Sequence, residues 1–427
     1  MQIRSVYIGT LGCAKNEVDS SSMSKLLRES GYVIVPEPEA ADCLIVNTCS
    51  FIEAATQESI DTIFDLTGRE DLKSKKIIVS GCMVSRYADA LTAQMPEIDA
   101  FISCADEGNV AQVVESLIGR PESIGSFDIE ETTAPSAYVK ISEGCDRNCS
   151  FCTIPSIRGA YHSFNPDAII LDVKTAIDNG AREINLIAQD TGHWGRDTSK
   201  KSTLASLLET LSGKFPQTFF RILYVQPDEV TDDLLRVMSE KKNIINYLDI
   251  PLQHTSAKIL SAMNRTGSCE NFKERLSLIK SIIPDVTLRT TLMVGFPGES
   301  DDEFEEMLEF VSEGLFDYIG VFAYSNEEGA PSFNLANQVD ADEKKYRLER
   351  LADYCNAVAV SKVASKIGRT SKVIVEEVCE DGQVLGRALF QAPEVDGFVM
   401  LDRGNVGDVV EVEFTDSVDY DLIGRVL

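Results

Sequence analysis

Residues 143–152 read Glu143-Gly144-Cys145-Asp146-Arg147-Asn148-Cys149-Ser150-Phe151-Cys152, and this stretch decides how the rest of the 427-residue chain is read. Cys145, Cys149 and Cys152 form C-x3-C-x2-C on one tight loop, just past an apolar run at 138–142. Three thiolates so spaced hold three corners of a 4Fe-4S cube and leave its fourth iron without a protein ligand. An open metal position is what a catalytic centre needs and a structural site avoids. The competing assignment is a zinc knuckle completed by His162 or by a distant cysteine. Zinc sites usually repeat C-x2-C, whereas here one spacing is three and no second pair follows. Eleven cysteines, an odd number, in a chain of enzyme size point to metal binding or catalysis rather than to disulfides.

Outward from this loop, residues 137–367 give six strand–helix repeats. The strands are expected at 138–142, 184–188, 219–225, 247–250, 286–294 and 318–323. Helical patterns follow at 166–179, 203–213, 228–241, 269–283, 301–314 and 341–366. Asp301, Asp302 and Glu303 put acid into a first turn, where the helix dipole favours it. Six units fall short of the eight in a closed barrel, so a partial (β/α)6 barrel is predicted, with its site at the carboxyl ends of the strands.

Residues 1–120 alternate short apolar strands at 6–9, 43–46, 76–79 and 100–102 with amphipathic stretches such as 17–30. That alternation implies a parallel, doubly wound α/β sheet. Cys13, Cys49 and Cys82 are 36 and 33 residues apart, yet each follows directly on an apolar strand. Strand ends collect on one edge of a parallel sheet, so the three thiols are expected to converge into a second ligand set. Cys104, after the fourth strand, is read as a spare; Cys43, Cys269, Cys355 and Cys379 are read as packing. A polar linker is expected at 121–136. From residue 368 the helices stop, and five strand-like runs predict a small antiparallel β-barrel over 368–427.

Charge and hydropathy exclude several classes. Apolar residues make up 44% of the chain, ordinary for a globular protein. No run approaches the roughly 20 apolar residues of a membrane span, and no signal peptide is visible at the start, so a cytoplasmic protein without a membrane partner is expected. The net charge is −29, and the stretch from Arg369 on holds five Lys+Arg against thirteen Asp+Glu. A phosphate-binding surface should be basic. Two acidic groups, Glu376/Glu377/Glu380/Asp381 and Asp416/Asp419/Asp421, suit a basic partner instead.

The 143–152 motif resembles that of the radical S-adenosylmethionine (SAM) superfamily. With the upstream three-cysteine unit and the terminal barrel, the whole chain is similar to its methylthiotransferase branch. Four stretches resemble the group modifying an aspartate of the twelfth small-subunit ribosomal protein: Gly12 to Ser20, Tyr247 to His254, Met263-Asn264-Arg265, and Ala392 to Gly397. Transfer-RNA relatives usually show different residues after the first cysteine and Pro-Val-Gln-Ser-Gly in place of Pro251-Leu252-Gln253-His254. The sequence departs from the family pattern at Ser21, Thr153 and Ser156, and at none of the six cysteines.

The resemblance implies two 4Fe-4S clusters, one on Cys145/Cys149/Cys152 and an auxiliary one on Cys13/Cys49/Cys82. It implies SAM as radical source and methyl donor, cleaved to a 5′-deoxyadenosyl radical that takes hydrogen from the aspartate β-carbon. Partners are then a basic ribosomal protein of the small subunit, an electron donor and a sulfur source. Gln189 and Asp190 are candidates for the SAM amine, with helix capping as the competing role of Asp190. Arg289 is a candidate for the SAM carboxylate, and Gly295 to Glu299 for bearing on the adenosine. His254 is read as structural, and His162 and His193 carry no assignment. The alternatives are the same chemistry on a transfer-RNA adenosine, which the acidic barrel disfavours, and a non-catalytic iron–sulfur carrier, which would not cleave SAM.

Overall fold

The computed structural model describes residues 4–121, 134–198 and 202–427. The expected linker at 121–136 lies outside them except at its ends.

Near the start of the chain, Val33–Ile34, Ser5–Thr10, Cys43–Thr48, Lys76–Gly81 and Ala100–Ser103 pair in that spatial order, all parallel. Cys43–Thr48 is buried on both faces, as its unbroken apolar run requires. Leu44 and Val46 pack on one side with Met83 and Leu91; Cys43 and Ile45 pack on the other with Met23 and Val114. The sheet is therefore doubly wound. Strand order reverses between Ser5–Thr10 and Cys43–Thr48, which opens a crevice at their carboxyl ends.

The second sheet holds six parallel strands side by side in chain order: Ser136–Lys140, Glu183–Ile187, Phe219–Ile222, Ile244–Asp249, Thr287–Val294 and Tyr318–Ala323. It stays open, as a partial barrel. Two expectations need correction here. The strand expected at 219–225 stops at Ile222, because Tyr224 turns to a left-handed φ of 62°. The helix expected from 228 begins at Asp232, where the Thr231 side chain accepts from Leu234 N–H.

At the carboxyl end, Thr370–Val378, Val384–Ala388, Val399–Leu401, Val409–Val418 and Asp421–Val426 close into a barrel. It is not wholly antiparallel: Val399–Leu401 pairs parallel with Asp421–Val426, the last strand swinging around to seal the barrel.

The small barrel docks beneath the six-stranded sheet, near the starts of its strands. Glu183 accepts from Arg221 Nε at 2.7 Å and pairs with Arg387 of the small barrel, all three side chains buried. Arg221 Nη2 also donates to Leu389 O at 2.8 Å. The loop around Ala392 to Asp396 enters the sheet's concave side, where Tyr247 Oη donates to Asp396 at 2.5 Å. The doubly wound unit packs at the other end, with helix Ala14–Glu29 along the edge strand Ser136–Lys140.

Candidate active site

Backbone hydrogen bonds fix the loop that carries Cys145, Cys149 and Cys152. Cys145 N–H donates to Gly159 O at 3.2 Å and Ser150 N–H to Met263 O at 3.0 Å. Gly144 has φ +74°, and a Cβ there would collide with Ala160 O, so glycine is what lets Cys145 approach this turn. Ile154 N–H points at Cys152 Sγ at 3.4 Å, and Arg265 Nη1 lies 3.9 Å from Cys149 Sγ. Both donors stabilise thiolates. Burial pushes the Cys145 thiol up to about 11 and that of Cys152 to about 12, so loading metal here must release protons.

Cys13, Cys49 and Cys82 converge as expected from their places after three neighbouring strands. Gly12 has φ +97°, and a Cβ there would sit 2.6 Å from Cys49 Cβ, so the Cys13 loop lies directly on Cys49. Asn16 ties the two loops by donating to Leu11 O at 2.8 Å and Thr48 O at 3.0 Å. Burial raises the Cys49 thiol to about 11, with Cys82 and Cys13 close enough to add to the effect. Cys82 goes the other way, lowered by a hydrogen bond from Cys104 and by the nearby Arg158 guanidinium. Cys104 therefore touches the triad instead of standing apart, and its own thiol is pushed up. Cys43, Cys269 and Cys355 are buried in packing.

A buried charge network ties Cys82 to the strand and the short helix that flank the Cys145 loop. Arg158, on the short helix Ile154–Arg158, donates to Asn16 Oδ1 at 2.8 Å, Asp19 at 2.9 Å, Glu143 at 3.3 Å and Cys82 Sγ at 3.5 Å. Lys140 pairs with Asp19 and Glu143. These residues went unassigned in the sequence. A signal was there: Asn16 and Asp19 are three apart on the helix that Cys13 opens, so they share a face.

Asp190 is buried at the end of its strand and pairs with Arg147, which also holds Asp228 at 2.9 Å and Glu229 at 3.1 Å. Its side chain makes no cap, so the capping role is not observed. Oxygen Oδ1 of Asp190 is buried with no hydrogen-bond partner, and burial raises the carboxyl above its ordinary value despite Arg147. Gln189 is half-buried beside it. Arg289 lies 3.5 Å from Asp249 and 3.4 Å from Asp396 across the docking of the small barrel, and its Nε is buried without a hydrogen-bond partner. His254 is structural, as read: fully buried, 3.2 Å from Glu299, and accepting from Ser256 N–H at 3.0 Å. Glu299 in turn bonds Gly295 N–H and Arg347, so Gly295 to Glu299 is a braced turn.

Among the described residues, Asp190, His193 and Glu229 bring three ligand atoms within 4.8 Å of one another. Arg147 and Arg196 already pair with that group, which makes it an ion-pair cluster. Neither cysteine triad is drawn in so tightly. A single zinc at about 2.3 Å from each sulfur would require such a gathering, whereas a cube spreads its ligands. His162 is exposed on the strand His162–Ser163.

Residues 5–103 match a family described as uncharacterized protein family UPF0004, residues 139–311 the radical SAM superfamily, and residues 367–427 the TRAM domain. The chain is 40% identical to the ribosomal protein uS12 methylthiotransferase RimO of Geobacter sulfurreducens, covering 99% of this chain and 98% of that protein. It is 40% identical to RimO of Thermotoga maritima, over 99% and 100%. Among solved structures, the radical SAM methyltransferase TsrM of Kitasatospora setae, with cobalamin and a 4Fe-4S cluster bound, superposes with a TM-score of 0.54 at 11% identity, over 75% of each chain. That likeness is one of fold.

Proposed function

This chain belongs to the ribosomal protein uS12 methylthiotransferases of the radical SAM superfamily, and from that premise we propose that it inserts a methylthio group at the β-carbon of an aspartate in uS12, the twelfth small-subunit ribosomal protein. The observation that carries the reading is the pair of cysteine triads, one at the mouth of the partial barrel and one at the crevice of the doubly wound sheet, with Arg158, six residues after Cys152, bonded to Cys82 of the second. Cys145, Cys149 and Cys152 would hold the cluster at which SAM binds; Cys13, Cys49 and Cys82 would hold the auxiliary one. When bound, these groups supply one-electron cleavage of SAM for hydrogen abstraction and a source of sulfur.

The protein's part is to bind, orient and exclude water. Asp190 and Gln189 suit the SAM amine, because the free Oδ1 of Asp190 is a buried acceptor waiting for a donor. Arg289 remains a candidate for the SAM carboxylate: it faces Asp249 and Asp396, but its Nε is buried without a hydrogen-bond partner. Arg265 is a second candidate: it sits against Cys149, and no carboxylate pairs with it among the described residues. The units 1–120, 137–367 and 368–427 divide the work into sulfur delivery, radical formation and partner reading. An electron donor and a sulfur source complete the reaction, in the cytoplasm; no helix among the described residues is long and apolar enough to cross a membrane.

Methylthiolation of a transfer-RNA adenosine is disfavoured by the −8 charge of the last 59 residues. The test is mass analysis of uS12 and of transfer RNA from cells lacking this protein. Loss of one methylthio group from uS12 with transfer RNA unchanged is expected; the reverse would overturn the reading.

A further inference from the structure

Lys15 stands two residues after Cys13 in the first turn of helix Ala14–Glu29, and it is 7% exposed. Its Nζ lies 3.1 Å over the centre of the Tyr224 ring. No carboxylate pairs with it among the described residues, whereas Lys140, Arg158, Arg147 and Arg289 each face at least one. Lys140 and Arg158 share Asp19 and Glu143, Arg147 has Asp190 and Glu229, and Arg289 has Asp249 and Asp396. A buried ammonium without an anion is costly and rarely kept without a purpose.

Its surroundings are built to hold that charge. Tyr224 occupies the left-handed region at φ 62°, a strained backbone for a tyrosine. The strain is held from both sides: Tyr224 N–H donates to Asp249 Oδ2 at 3.1 Å, and its carbonyl accepts from Thr191 N–H at 3.2 Å. A ring face attracts the ammonium but is a poor hydrogen-bond acceptor, so the three N–H donors are positioned without being consumed. The adjoining wall is apolar: Ala14, Ile187, Leu223, Tyr247 and Ala392 form one buried cluster, with Tyr224 and Val18 packed on it.

We infer that Lys15 receives the side-chain carboxylate of the aspartate that is modified. This rests on the proposed uS12 reaction. The carboxylate is one bond from the reacting β-carbon, so it must enter this apolar region with that carbon, and a charge taken out of water there needs a cation already in place. Lys15 stands without an anion beside the triad that would deliver sulfur, whereas Arg265, also without a carboxylate, lies against Cys149 of the other triad. Its contact with the substrate is a charge-assisted hydrogen bond that fixes which carbon is presented.

The test uses the anaerobically reconstituted full chain and purified uS12, with the target aspartate either intact or changed to Asn. The parent should bind the Asp form about tenfold or more tightly than the Asn form, the usual size of a hydrogen bond to a charged group. Lys15→Met keeps the stem without the charge and should bind both forms alike, while Lys15→Arg should restore the preference. Iron content and thermal unfolding of each variant report whether the fold and ligand sets survive. If Lys15→Met folds and keeps the full Asp preference, the inference fails while the uS12 reading stands; a shifted cluster potential in that variant would mean that Lys15 serves to balance charge at the Cys13 triad. If the parent binds neither form of uS12, the reading itself fails and the inference with it.

Discussion

Arg158 Nη2 lies 3.5 Å from Cys82 Sγ, so a guanidinium that follows one cysteine loop by six residues hydrogen-bonds a sulfur of the other triad. The same guanidinium holds Asp19 and Asn16 of the doubly wound unit. It is thus both part of the interface and a donor to a thiolate. Hydrogen bonds to cluster sulfurs favour the reduced, more negative state and raise the potential.

Replacing Arg158 by Ala should therefore act in two ways. Loss of one partner from a buried ion pair costs about 3–5 kcal/mol, toward the lower end here because Lys140 still faces Asp19. The cluster on Cys13, Cys49 and Cys82 should also become harder to reduce. Thermal unfolding reads the first effect. A potentiometric titration in a chain whose Cys145, Cys149 and Cys152 are Ala reads the second, since one cluster alone reports. An unchanged potential would leave Arg158 with an interface role only.

Removing each triad should separate radical formation from sulfur delivery. Cys13, Cys49 and Cys82 changed together to Ala should halve the iron, spare reductive SAM cleavage and abolish methylthio product. The same change at Cys145, Cys149 and Cys152 should also halve the iron but end SAM cleavage. Iron assay, SAM-cleavage assay and mass analysis of uS12 make the comparison. Full product from the first variant would make the Cys13 set mere packing.

The cysteine geometry was legible because it depends on local pattern. A thiol just after an apolar strand in a parallel sheet must lie on the ligand edge, and C-x3-C-x2-C needs one loop only. The charge network was not legible. Asp19 meets Lys140 across 121 residues and Arg158 across 139, and Glu183 meets Arg387 across 204. No periodicity links such partners, and docking between units is what buries them together. The approach of Asp396 to Arg289 was hidden for the same reason, since it comes from another unit. The turn at Tyr224 carries no glycine to announce its positive φ.

Glu183 gives a pH-dependent test of the docking between the six-stranded sheet and the small barrel. Burial pushes its carboxyl up, but Arg221 and Arg387 outweigh that and hold it below the usual range. A carboxylate with a depressed native value adds stability that is fully present above its unfolded value, about 4.3, and is lost as pH falls through the native one. Unfolding followed from pH 7 downward should lose stability below that point. Glu183→Gln should be weaker at neutral pH, by about 3–5 kcal/mol for a broken buried pair, and should show a shallower acid limb. An identical acid limb in parent and variant would place the acid sensitivity in other carboxylates.

The acidic face of the small barrel bears on how a basic partner is met. Glu376 must be removed from the group assigned to that face, because it turns inward and pairs with Arg387 at 2.8 Å. Glu377, Glu380 and Asp381 remain exposed at one turn, and Asp416 and Asp419 at another. None lies near a cysteine triad, so changing either group to Ser should leave iron content and SAM cleavage as they are. Complementary charge acts chiefly on association rate and in a salt-dependent manner. The Ser variants should therefore bind uS12 more slowly than the parent at low salt. The difference should shrink as screening approaches a Debye length of about 8 Å at physiological ionic strength. Stopped-flow association across a salt series makes the measurement. Superimposable curves for parent and both variants would mean that these carboxylates keep the protein soluble and that uS12 is read elsewhere on the surface.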